Sequence, residues 1–239
     1  MTKRISLLRQ YLNSSRTIHY SLILVLPALA IYEIGILILF RDSFFEMRNS
    51  GEILLRSFFT SIKLTNPYIV SVILLSLFAL VMIRGYKLER KPGVHANYLV
   101  FMLLESMWWG VILFTLMHLF LQIPFQMVTL EEKFANINLA IGAGIFEEMI
   151  FRMVIITALI VVLNRGLNIS HSVSNILAIL VAACIFAAFH LFMESYSLPV
   201  FAQRVSGGVF LGILYNFRGY GISVYTHIIF NFLILANTW

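Results

Sequence analysis

A pair of carboxylates, two histidines and an amide stand inside apolar sequence in the C-terminal half of the chain. Glu147 and Glu148 are adjacent, with Arg152 four residues beyond the second. His190 closes the run Phe186-Ala187-Ala188-Phe189-His190, and His227 precedes Asn231 by four. Residues four apart share a helix face, so Glu148 faces Arg152 and His227 faces Asn231. Glu148 and Arg152 can pair, which leaves Glu147 without a partner nearby in sequence. Charges at membrane depth cost about 3 kcal/mol each on insertion scales, so a chain keeps them when they are paired or useful. A carboxylate and two imidazoles can take a proton from water, and imidazole or amide N–H groups can hold an oxyanion. These are the parts of a hydrolytic site. Taken singly, each has a plainer reading as an ion pair or a satisfied polar group in a helix bundle.

The elements that must position these residues are apolar helices. Of the 239 residues, 60% are hydrophobic and 12% charged, with mean hydropathy +0.91. That composition excludes an ordinary soluble domain and predicts an all-α polytopic transmembrane bundle. About seven spans are expected (six to eight), near 19–40, 68–82, 98–121, 137–163, 173–193, 200–217 and 222–235. Residues 1–239 read as a single integral membrane domain, with a basic arm over 1–18 and the chemistry carried by 137–235. The arm holds Lys3, Arg4, Arg9 and Arg16, no acid, and enough apolar residues to lie on a membrane surface. Residues 41–52 read as a polar loop, and 53–64 as an interfacial helix too short to span. Gly142 and Gly144, and the Gly207, Gly208 and Gly212 face, allow helices to approach closely. Gly219-Tyr220-Gly221 marks a tight turn. Glu33, Glu105 and His118 read as satisfied polar groups of the bundle. The single Cys184 supplies no disulfide framework and reads as a small buried hydrophobe.

The net charge of +6 fits basic cytoplasmic loops and does not call for nucleic acid. With seven spans and the N-terminus inside, the inner segments hold ten Lys and Arg residues and the outer segments five. That asymmetry predicts a multi-pass cell-membrane protein with a cytoplasmic N-terminus.

In order, Glu147-Glu148-x-x-x-Arg152, Phe186-x-x-x-His190 and His227-x-x-x-Asn231 resemble the three motifs of the CPBP intramembrane proteases. That family, also called Abi, includes CAAX prenyl endopeptidases and bacteriocin-processing or immunity-type proteins. The resemblance covers about 137–235, and the first 130 residues carry no recognisable motif. It implies an intramembrane glutamic-type endopeptidase acting on a membrane-associated peptide or a lipidated C-terminus. Its partners would be membrane lipid and that peptide or protein substrate. Glu147 would be the general base, with His190 sharing its water, and His227 and Asn231 would form the oxyanion hole. Glu148 and Arg152 would support the site or orient substrate, with Phe186 packed beside it. The resemblance implies no cofactor, in keeping with the absence of a His-Glu-x-x-His helix. Zinc stays open, in which case Glu147, His190 and His227 would be its ligands. The alternative is a non-proteolytic membrane scaffold or immunity protein of the same fold. A transporter with a proton relay is a third reading, weakened by the lack of internal repeats.

Overall fold

The computed structural model describes residues 7–39, 48–64, 94–121, 130–191 and 197–237, with single positions between 72 and 83. The described residues form helices and short connections, with no strand among them. The elements are α1 (Leu7–Ser15), α2 (Ile18–Leu39), α3 (Ser50–Ser61), α4 (Ala96–Leu121) and α5 (Leu130–Glu147). From α5 the helix continues through a π-helical segment, Glu148–Ile156, then α6 (Thr157–Val161) and a second π-helical segment, Val162–Gly166. α7 (His171–His190), α8 (Leu198–Arg218) and α9 (Tyr220–Asn237) complete the bundle.

Among the described residues, four helices are long and apolar enough to cross a membrane: Ile18–Leu39, Ala96–His118, His171–His190 and Leu198–Arg218. Tyr220–Ala236 is a shorter apolar helix, matching the short final run of the sequence. The span expected near 137–163 lies within the continuous helix over 130–166. The span expected near 68–82 falls largely outside the described residues. The outer faces of the bundle are apolar: Ile31, Ile34 and Ile38 on α2, Phe101, Leu104 and Trp108 on α4, Ile176 and Leu180 on α7 are all exposed. Water would penalise so continuous an apolar surface, whereas lipid accepts it. Cys184 and His118 lie on this outer surface too, which corrects the expectation that both are buried inside the bundle. His118 stacks on Phe114, one turn away on the same helix.

Small residues set the closest helix contacts. A Cβ at Gly144 would strike Ile228 and come within 3.0 Å of the Val224 carbonyl, so α5 and α9 meet backbone to backbone there. At Gly208 it would lie 3.0 Å from the Ala183 Cβ, which joins α8 to α7 in antiparallel register. Gly219, the single residue between α8 and α9, has φ +83°, a left-handed conformation suited to glycine. This turn packs against the α1–α2 junction, where a Cβ on Gly219 would sit 3.0 Å from the Arg16 carbonyl.

One end of the bundle, the N-terminal end, thus gathers the α1–α2 junction and the α8–α9 turn. A buried cluster ties it together. Arg218 donates to both oxygens of Glu105 (Nε at 2.5 Å, Nη2 at 2.7 Å) and to Ser15 Oγ at 2.9 Å. Tyr11 Oη and Trp109 Nε1 also donate to Glu105, at 2.5 and 3.3 Å. The start of α4 joins the same end, with the His95 N–H donating to Tyr20 Oη at 2.9 Å.

The opposite end carries a second cluster, built on α3. Of the polar loop expected over 41–52, residues 41–47 lie outside the described residues, and the structure moves its end back to Asn49. α3 begins at Ser50, with Asn49 as its cap accepting from the Gly51 N–H at 2.8 Å. Glu52 is fully buried, paired with Arg48 at 3.2 Å and Arg56 at 2.5 Å, and accepts from Tyr32 Oη at 2.7 Å. Arg48 also reaches Glu33 at 3.1 Å. The polar start of α3 reads as loop in the sequence because its buried partners, Tyr32 and Glu33, sit on another helix.

Candidate active site

Glu147 is the last residue of α5, where α geometry gives way to the π-helical segment. A π turn bonds i to i+5 and inserts extra backbone into the helix, a distortion found often at functional sites. Its side chain is buried and lies between two imidazoles. Oε1 is 4.0 Å from His190 Nε2, and Oε2 is 4.0 Å from His227 Nε2. Ser50, at the start of α3, donates its hydroxyl to Glu147 Oε1 at 2.9 Å. Glu147 therefore has a partner, from a helix nearly a hundred residues earlier, where local spacing shows none. The fit is close: a Cβ on Gly51 would lie 3.1 Å from both the Cγ and the backbone nitrogen of Glu147.

Glu148 faces the other way and is completely buried. Its Oε1 lies 3.0 Å from Arg152 Nη1 and 2.9 Å from His227 Nδ1, and its Oε2 accepts from Ser223 Oγ at 2.5 Å. The Arg152 contact is an ion pair without hydrogen-bond alignment, since neither terminal nitrogen of Arg152 donates a hydrogen bond. The guanidinium instead packs over the Phe186 ring, 4.6 Å from its centre. Phe186 also meets the His190 ring edge to face at 4.6 Å.

These contacts fix the imidazole protons. His190 Nδ1 lies 2.9 Å from the Phe186 carbonyl, which only accepts, so Nδ1 carries the hydrogen. In neutral His190 the Nε2 facing Glu147 is then a lone pair. His227 Nδ1 likewise donates to the ion-paired carboxylate of Glu148. Its Nε2 can donate only when the ring carries a second proton. An N–H at Nε2 of His227 for an oxyanion is thereby confined to the imidazolium.

Glu147, His190, His227 and Asn231 line one cavity of about 730 Å³. Its apolar walls include Leu113 and Met117 from α4, Leu211 from α8, and Phe230 and Ile234 from α9; Arg48, Asn49, Gln203 and Arg204 add polar groups. The volume suits a small-molecule or peptide site. Among the described residues, no group of three His, Cys, Asp or Glu side chains is arranged to hold a metal ion.

Residues 131–233, a little under half of the chain, match the family model described as type II CAAX prenyl endopeptidase Rce1-like. This region is similar to that family. The match spans the whole set from Glu147 to Asn231. Neither the curated proteins nor the solved structures give a match. The Rce1-like region runs through α5, the π-helical segments and α7 to most of α9, while α1 to α4 lie outside it.

Of the polar residues singled out in the sequence, the structure brings Glu147, His190, His227 and Asn231 to one cavity, with Glu148 and Arg152 packed behind. It does not bring Glu33, Glu105 or His118 there. Two residues escape the sequence reading. Ser223 lies four residues before His227, so its place on the same helix face was available from spacing. Ser50 lies outside the Rce1-like region, and no local pattern points to it.

Proposed function

We propose that this protein is an intramembrane endopeptidase in which Glu147 activates a water against a peptide carbonyl. One observation carries the reading: a buried carboxylate at a cavity wall, 4.0 Å from each of two imidazoles whose far nitrogens are fixed. Such a gap is too long for a hydrogen bond and short enough for one water to bridge. A water donating one hydrogen to Glu147 and the other to His190 Nε2 keeps a lone pair for the carbonyl carbon. Glu147 takes the proton as the bond to carbon forms, and returns it to the leaving amine. His227, as imidazolium, and the Asn231 amide donate to the oxyanion of the tetrahedral intermediate. Glu148 holds His227 in the required tautomer, and Arg152 balances the charge of Glu148. Ser50 orients Glu147. The apolar cavity walls and the surrounding lipid favour a membrane-associated peptide or a lipidated C-terminus as substrate.

The test compares purified wild type with Glu147→Gln on a quenched fluorescent peptide library, with and without chelator. The expected outcome is cleavage by wild type, unaffected by chelator, and a loss of about 10²- to 10⁴-fold in the variant at unchanged folding. Cleavage abolished by chelator and restored by zinc would make Glu147, His190 and His227 metal ligands instead. Full cleavage by Glu147→Gln would remove the catalytic role from this carboxylate, whereas no cleavage by either protein, both well folded, would favour a scaffold of the same fold.

A further inference from the structure

Helix α8 carries three glycines, and one of them does not serve packing. A Cβ at Gly208 would lie 3.0 Å from the Cβ of Ala183, and one at Gly212 would lie 2.9 Å from the Ile179 side chain. Both let α8 approach α7 closely. At Gly207, an added Cβ would meet only Met117 Sδ among the described residues, at 4.0 Å, which is ordinary contact. Glycine is a poor helix former, and neither a close approach nor a positive φ calls for it here. Gly207 and Met117 both line the cavity that holds Glu147. The space that a side chain would fill at this position is therefore cavity, not helix contact.

Helix register sets that space beside the reacting groups. α8 and α9 form an antiparallel hairpin through Gly219. Ser223 Oγ donates to the Leu211 carbonyl at 3.5 Å. Gly207 is four residues before Leu211, and His227 is four after Ser223, so the two lie about level across the hairpin. The same step sets Gln203 level with Asn231. Leu113, Met117 and Leu211 pack as one cluster, with Phe230 against it. The space at Gly207 thus has aliphatic, thioether and aromatic walls, level with the proposed oxyanion donors.

We infer that Gly207 sets the depth of an apolar subsite, which takes a large apolar side chain of the substrate next to the scissile bond. Resting on the proposed proteolytic reading, this makes a residue outside the three motifs the one that selects the peptide by size. A leucine, methionine or phenylalanine would bury its surface against Met117, Leu211 and Phe230. A side chain on residue 207 would occupy the same volume.

The test uses the full chain in detergent and peptides built on one library hit, with Ala, Leu or Phe at each position flanking the cleaved bond. Gly207→Ala and Gly207→Val meet open space and should unfold no earlier than wild type, whereas Gly208→Val strikes Ala183 and should unfold earlier. At one position, wild type should favour Leu or Phe over Ala in kcat/KM by at least about tenfold. Gly207→Val should lower kcat/KM there by about 10- to 200-fold for the large side chains and leave the Ala peptide within about threefold, with Gly207→Ala between. An equal fall for every peptide, or no fall, overturns the inference. A fall confined to a peptide carrying a lipid thioether gives the space to the lipid and overturns it too. A second measurement needs no cleavage. Library peptides carrying benzoylphenylalanine are irradiated with Glu147→Gln protein, and adducts are mapped by mass spectrometry. The inference expects an adduct at Met117 that is lost when Gly207→Val is added. That adduct, with no cleavage by wild type, overturns the proteolytic reading and leaves the subsite standing. Its absence overturns the subsite, whether or not wild type cleaves.

Discussion

Ser50→Ala tests whether α3 is part of the catalytic apparatus. The Ser50 hydroxyl makes the one hydrogen bond to Glu147 among the described residues, at 2.9 Å to Oε1. A hydrogen bond to a charged group is worth about 1.5–3 kcal/mol. If it holds Glu147 in the rotamer that meets the water, its loss lowers kcat by about 10- to 150-fold, at roughly 1.36 kcal/mol per decade. KM should change little, because Ser50 acts on the carboxylate and not on the bound peptide. Ser50→Thr keeps the hydroxyl and should recover most of kcat. The assay is steady-state cleavage of one library-derived peptide by the three proteins, with thermal unfolding in detergent as the control for folding. A kcat within about twofold of wild type for Ser50→Ala would refute the reasoning, since so small a change is worth well under 1 kcal/mol. So would a Ser50→Thr protein that folds normally and is as slow as Ser50→Ala. A rise in KM alone would recast Ser50 as a substrate contact.

The ion pairs give two further tests. Glu148→Gln leaves Arg152 buried without its counter-charge, a change expected to cost about 3–5 kcal/mol, and an unchanged unfolding midpoint in detergent would contradict it. Adding Arg152→Met to Glu148→Gln should restore much of that stability, since removing both charges avoids the orphan. Glu105→Gln breaks the Arg218 clamp at the end away from the cavity. It should lower stability by about 1.5–3 kcal/mol while leaving kcat of the folded protein unchanged, and a tenfold fall in kcat at constant KM would link that cluster to the site.

What could be read from sequence follows from what is local. The helical class and most spans are written in apolar runs, and the pairing of Glu148 with Arg152 needs only the helical repeat. Two polar residues of α4 show where that logic stops. Glu105 and His118 lie in the same apolar helix with similar neighbours, yet Glu105 is clamped by Arg218 while His118 faces outward. The difference is made by a side chain 113 residues further along the chain, and nothing in α4 announces it. The start of α3 fails to read for the same reason, since a polar stretch becomes buried only when another helix supplies the counter-charges. The π-helical turn after Glu147 is also a tertiary outcome. Its sequence, Glu148–Ile156, carries no glycine or proline to mark a change of helical geometry.

The same reasoning bears on what a shared core can determine. The matched region, 131–233, holds the groups proposed to do the chemistry, but the contact that holds Glu147 comes from Ser50, outside it. α3 is in turn held by Glu52, Arg48, Arg56 and Tyr32, all from the part without a motif. A chain could keep Glu147, His190, His227 and Asn231 and still differ in rate if its counterpart of α3 placed no hydroxyl at Oε1. Motif content alone would then predict the reaction and not its rate. The geometry of the N-terminal half decides how well the carboxylate is aimed, because a misplacement of about 1 Å is worth roughly 10²-fold in rate.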